Sequence, residues 1–142
     1  MKLIRAVRFS LAFGMALMAL AACGPASPQV VNVNLTSFEI TLSSKTLSAG
    51  ETSFVTNNKA TDVLHEFILV ATDLAPDALP LTAEGRVDEA STQFTEVGAA
   101  EDIAANASAE FPVALEPGHY VYFCNIETHY SQGMRGEITV VP

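Results

Sequence analysis

Residues 117–140 read P-G-H-Y-V-Y-F-C-N-I-E-T-H-Y-S-Q-G-M-R-G-E-I-T-V. The opening Pro117-Gly118 predicts a tight turn, with proline pre-setting φ and glycine supplying the left-handed position. A strand-like run over 119–124 follows, and a second over 137–141 closes the chain. Between them Cys124, His129 and Met134 offer a thiolate, an imidazole and a thioether at five-residue intervals. Another imidazole, His65, lies far upstream in V-L-H-E-F-I-L-V, residues 63–70. Two imidazoles, one thiolate and one weak thioether make the ligand set of a mononuclear blue-copper electron-transfer site. Soft sulfur stabilises Cu(I) and imidazole Cu(II), so a mixed set holds both oxidation states.

Working outward, the chain reads as strands. Val31, Val33 and Leu35 alternate with Asn32 and Asn34, and Phe38, Ile40 and Leu42 alternate with polar partners, which is the period-2 pattern of half-buried strands. Residues 48–52 predict a turn and 53–57 a strand. Residues 63–71 are nearly all apolar apart from His65 and Glu66, as suits a central strand covered on both sides. Residues 72–92 break the rhythm with Pro76, Pro80, Gly85 and the acids Asp73, Asp77, Glu84, Asp88 and Glu89. They predict a long excursion with room for one short helical turn. Strands over 93–97 and 108–115 flank an Ala-rich connection. Seven to eight short strands with Pro/Gly turns predict an all-β, Greek-key sandwich or barrel. Two glycosylation sequons, at Asn34 and Asn106, read as plain loop or strand-edge residues.

The N-terminus is expected to lie outside that fold. Lys2, Arg5 and Arg8 precede an uncharged apolar run over 9–22, shorter than the roughly 20 residues a spanning helix needs and patterned as an export signal. It ends L-A-A-C-G, which resembles a bacterial lipobox with Cys23 as the lipidated residue; an ordinary signal cut near Ala22 is the plainer alternative. The expected organisation is a signal over 1–22, a lipidated tether over 23–30 and one domain over 31–142. The expected location is the periplasmic or extracytoplasmic face of a membrane. Without the signal the chain keeps 7 − 3 = 4 cations against 16 acids, a balance of −12. That charge repels nucleic acid and favours a basic protein partner. If Cys23 carries lipid, Cys124 is a lone thiol in an exported domain. A buried apolar cysteine explains that, and so does metal ligation.

Residues 117–140, with His65, resemble the last hairpin and upstream ligand of the cupredoxins, the blue-copper family of plastocyanin, azurin and rusticyanin. The resemblance extends over about residues 31–141. It implies His65, Cys124 and His129 as equatorial ligands of one type 1 copper ion, with Met134 as weak axial ligand. Gly136, Ile138 and Val140 match the closing strand. It further implies a monomeric, non-enzymatic carrier, served by a redox protein such as a c-type cytochrome. The His129 ring should reach the surface and His65 should be more enclosed. Glu66 stands where many relatives carry the asparagine that ties the ligand loops together, and Glu127-Thr128 where many carry Pro-Gly.

Other readings stay open on the residues alone. Zinc accepts Cys and His but gains nothing from a thioether. A thiol hydrolase using Cys124 and His129 would need a third, orienting group. Copper delivery or storage would use the same ligands, and a metal-free structural lipoprotein would use none. His119 reads as an exposed strand residue, and Tyr120, Tyr122 and Phe123 as core or sheet-surface residues. The apolar residues of 72–92 are expected to cover the metal pole, with Asp73 and Asp77 in an acidic rim.

Overall fold

The computed structural model describes residues 27–142; the export-signal segment and Cys23 lie outside them. Nine strands form among the described residues: β1 (Gln29–Leu35), β2 (Ile40–Leu42), β3 (Thr46–Ser48), β4 (Gly50–Asn58), β5 (His65–Ala71), β6 (Thr95–Ile103), β7 (Ser108–Leu115), β8 (Gly118–Phe123) and β9 (Arg135–Val141). They make a four-stranded sheet ordered β2-β1-β4-β7 and a five-stranded sheet ordered β3-β9-β8-β5-β6. Pairing is mixed: β1 with β4 and β3 with β9 run parallel, the rest antiparallel. The expected all-β sandwich is therefore present, with two more elements than the lower strand count. No helix forms among these residues.

Alternation places the core. Val31, Val33 and Leu35 on β1 point inward, as do Phe67 and Leu69 on β5 and Tyr120 and Tyr122 on β8. Phe54 lies 5.3 Å from Phe111 and 5.5 Å from Phe67, centroid to centroid, and bridges the two sheets. β5 alternates the other way with Ile68 and Val70, and β8 with Val121 and Phe123, so the outer face of the larger sheet is apolar too.

That second face explains the excursion, residues 72–94, called here the strap. Its Leu74, Leu79 and Val87 cover Ile68, Val70, Val121 and Phe123. Burying each such side chain is worth about 1.5–3 kcal/mol. The apolar residues of the strap consequently pack on the outer face of the sheet, in a cluster separate from the one that holds Cys124 and Met134, which corrects the expected cover; Leu81 is left exposed. It holds turns and one isolated bridge, Leu81 with Val87, in place of a helical turn.

Candidate metal centre

Three polar side chains, two of them five residues apart and the third 59 residues upstream of Cys124, meet at one pole of the sandwich. His65 opens β5, Cys124 directly follows β8, and His129 sits in the loop joining β8 to β9. Cys124 Sγ lies 3.8 Å from His65 Nδ1 and 3.4 Å from His129 Nδ1. All three residues are buried, and their ligand atoms lie within 4.8 Å of one another. With two edges of 3.4 and 3.8 Å and a third of at most 4.8 Å, an atom equidistant from the three donors is about 2.0–2.4 Å from each, where a borderline-soft first-row metal bonds imidazole and thiolate. The donor set fits such an ion.

Protonation agrees with ligation. Burial holds both imidazoles below their ordinary pKa, with the neighbouring His129 adding to the effect on His65 and the Thr36 backbone opposing it. Both rings are therefore neutral at pH 7, the form that donates a lone pair. Burial also pushes the Cys124 thiol up, against the backbone N–H groups of Ile126 and Glu66; the Glu66 N–H lies 3.3 Å from the sulfur. A buried cation reverses that balance and deprotonates a coordinating thiol. His65 Nε2 is buried with no hydrogen-bond partner among the described residues.

Met134 is fully buried in the core cluster that holds Cys124. Its backbone ties the site together, since the Cys124 N–H donates to Met134 O at 3.0 Å and the Met134 N–H to His129 O at 3.1 Å. His129 is 6% exposed against 0% for His65, so it is the outer imidazole but barely reaches solvent. The half-exposed Phe38, in the β1–β2 connection, meets it edge-on at 6.0 Å.

The two departures from the family pattern have physical consequences. Thr128, at the position where many relatives carry glycine, adopts φ 70°, a left-handed conformation rare for a β-branched residue. Local bonds hold it: Gln132 Nε2 donates to its Oγ1 at 2.8 Å, while Ser131 Oγ and the Gln132 N–H donate to its carbonyl. Glu66 makes no asparagine-like tie. Its buried carboxyl is pushed up by desolvation, opposed by Arg86 and reinforced by Glu101, Glu89 and Asp102.

Four supporting residues have no obvious signal in the sequence. Asn58, 1% exposed, donates to Val63 O and Ile103 O, both at 2.8 Å, and accepts from the Ala60 N–H at 3.0 Å. It thus fixes the approach to His65. Asn125 and Tyr130, beside Cys124 and His129, bond to the strap. Phe38 is the fourth. His119, expected to be exposed, is half-buried and stands outside the centre: its Nδ1 lies 2.6 Å from Thr72 O and its Nε2 3.1 Å from Glu137 Oε2. Both neighbours are acceptors, so the geometry favours the doubly protonated ring.

Residues 29–141 match the family model described as copper binding proteins, plastocyanin/azurin family. No curated protein matches the chain by sequence. Among solved structures it is similar to dithionite-reduced auracyanin from Roseiflexus castenholzii, at 20% identity and TM-score 0.57, over 82% of this chain and 99% of that one. Auracyanin A, a "blue" copper protein from Chloroflexus aurantiacus, gives 20% identity and TM-score 0.58 over 81% and 100%. Rusticyanin from Thiobacillus ferrooxidans gives 18% and 0.58 over 81% and 79%.

Proposed function

The chain belongs to the plastocyanin/azurin family of copper-binding proteins, and on that premise we propose that it carries single electrons between redox proteins. The observation behind this reading is the burial of the whole donor triangle, His65, Cys124 and His129. A substrate has no route to an ion enclosed there, whereas an electron needs none. Copper in that triangle supplies a one-electron Cu(II)/Cu(I) couple. Neutral His65 and His129 and the Cys124 thiolate would hold it, with the Met134 thioether as weak fourth donor. The Glu66 N–H stabilises negative charge on the sulfur. His65 is fixed by its strand and Cys124 by its backbone bond to Met134, so the donors resist moving when the ion changes charge.

Electrons are proposed to pass by outer-sphere transfer at the His129 edge, where the half-exposed Phe38 ring meets the imidazole edge-on. The partner is proposed to be a basic redox protein such as a c-type cytochrome, drawn by the net charge of −12 that the domain keeps without its signal. The protein works as a monomer, held at the extracytoplasmic membrane face by lipid on Cys23.

Stopped-flow oxidation of a reduced c-type cytochrome tests this reading. The copper protein should turn over repeatedly without losing its ion to a Cu(I) chelator. Rates should fall as salt shortens the Debye length, about 8 Å at 0.15 M. Release of copper on reduction would instead indicate delivery or storage. For the anchor, Cys23→Ala should move exported protein from membranes to the soluble fraction; unmodified Cys23 in mature protein would overturn it.

A further inference from the structure

The eleven-residue loop 124–134 carries Cys124, His129 and Met134, and its ties to the body of the protein are concentrated on one element. The Asn125 side chain, 3% exposed, pairs with both polar groups of the Val87 backbone, accepting from its N–H at 2.7 Å and donating to its carbonyl at 3.1 Å. Its Nδ2 also donates to Glu89 Oε1 at 2.5 Å. The Tyr130 hydroxyl, on a residue 4% exposed, accepts from the Leu79 N–H at 3.2 Å and donates to Pro76 O at 2.6 Å. All five bonds end on the strap, and the two residues that make them stand directly after Cys124 and His129.

The strap can bear that load because it is held independently. Leu74, Leu79 and Val87 are packed on the sheet, Leu81 bridges Val87, and the Asp88 N–H donates to Pro80 O at 2.9 Å. Apart from the Glu66 N–H to Cys124 Sγ and the Arg135 guanidinium to Tyr130 O, the remaining bonds of the loop, such as His129 N–H to Ile126 O at 2.9 Å and Gly133 N–H to Tyr130 O at 3.1 Å, close it on itself. They set its shape but not its position. Burying an amide or a phenol makes each strap bond costly to break.

We propose that the strap is the frame of the ligand loop, with Asn125 and Tyr130 as positioning residues that hold Cys124 and His129 in metal-ready geometry before the ion arrives. This assigns to residues 72–94 a task that needs no ligand of their own. It also gives the chain a loop lock in place of the asparagine missing at Glu66. The inference rests on the copper reading for its purpose, but its geometric content holds without metal.

The test uses Asn125→Ser, which removes the amide, and Tyr130→Phe, which removes only the hydroxyl and keeps the ring in its cluster. Leu115→Val, at the end of β7 that pairs with Gly50, serves as a control for general destabilisation. Hydrogen exchange of the copper-free proteins is read at 124–134, and Cu(I) affinity by chelator competition. Electron paramagnetic resonance is recorded on the Cu(II) forms. Both loop variants should exchange faster than wild type in the loop, bind copper about 10- to 100-fold more weakly, as losing the hydrogen bonds that orient metal ligands does, and show altered copper hyperfine structure. Leu115→Val should leave all three unchanged. Wild-type-like loop protection and affinity in both variants would overturn the proposal, as would equal changes in the control. If Asn125→Ser does not fold, Tyr130→Phe decides alone. Failure of wild type to bind copper would sink the copper reading while the metal-free exchange still judged the strap.

Discussion

Asn58→Ala is the sharpest stability test, because one side chain there serves three backbone groups, two of them buried and the third, Val63 O, part-buried. The amide donates twice, to Val63 O and Ile103 O, and accepts once, from the Ala60 N–H. Alanine leaves all three without that partner, and the two groups at Ala60 and Ile103, residues 5% and 3% exposed, are closed to water. Each buried group left unmade costs about 1–3 kcal/mol. Recovery of the amide's own desolvation argues for the low end, giving a loss of about 3 kcal/mol. For a domain of this size that lowers Tm by about 12 °C. Urea and thermal unfolding should be followed on copper-free protein, because metal binding would add its own linkage. Since Ile103 pairs with His65, copper affinity should fall too. A loss under about 0.5 kcal/mol, the range of ordinary surface substitutions, would refute the view that Asn58 braces the approach to the first histidine.

Two further outcomes follow from the geometry. The Thr72 backbone and Glu137 raise the His119 pKa against the opposing effect of burial, with Asp73 adding to the rise; the group therefore contributes stability that is complete below its unfolded value near 6.5 and lost as pH rises through the higher folded value. Urea titrations across that window should show a wild-type decline that His119→Gln lacks, and parallel curves would contradict it. Gly136→Ala would place a Cβ 2.5 Å from Tyr122 Cζ, and the buried ring cannot retreat. Overpacking should cost about 1–3 kcal/mol, with Tyr122→Phe recovering part of it in a double-mutant unfolding cycle.

Much of this architecture was legible because strand burial has a period of two. Val31, Val33 and Leu35 announce the inner face of β1, and the unbroken apolar run around His65 announces a strand covered on both sides. What covered its outer side was not legible. Leu74, Leu79 and Val87 are spaced irregularly among prolines and acids, and no periodic rule says which face such a segment seeks. β3 escapes notice for a related reason, as three residues cannot display alternation. β6 runs through Ala99 and Ala100, weak strand formers that read as connection until paired with β5.

The centre divides the same way. Cys124 and His129 declare themselves by chemistry and spacing, and His65 by its place in an apolar strand. Asn58, Asn125 and Tyr130 do not, because a buried amide or phenol looks in sequence like any polar residue of a turn. Only the fold reveals that each completes the hydrogen bonds of a distant backbone. Thr128 is similar: nothing in its identity predicts φ 70°, which the bonds of Gln132 and Ser131 sustain.

The central claim is that His65, Cys124 and His129 close on one copper ion with sulfur bonded directly to it. Metal analysis together with visible absorption of the copper-loaded protein, before and after reduction, tests it most directly when Cys124→Ser is measured alongside. One copper per chain, an intense thiolate-to-Cu(II) band lost on reduction, and no such band in a folded Cys124→Ser protein are the results expected. A band that survives in Cys124→Ser, or loaded wild-type protein without one, would contradict the account.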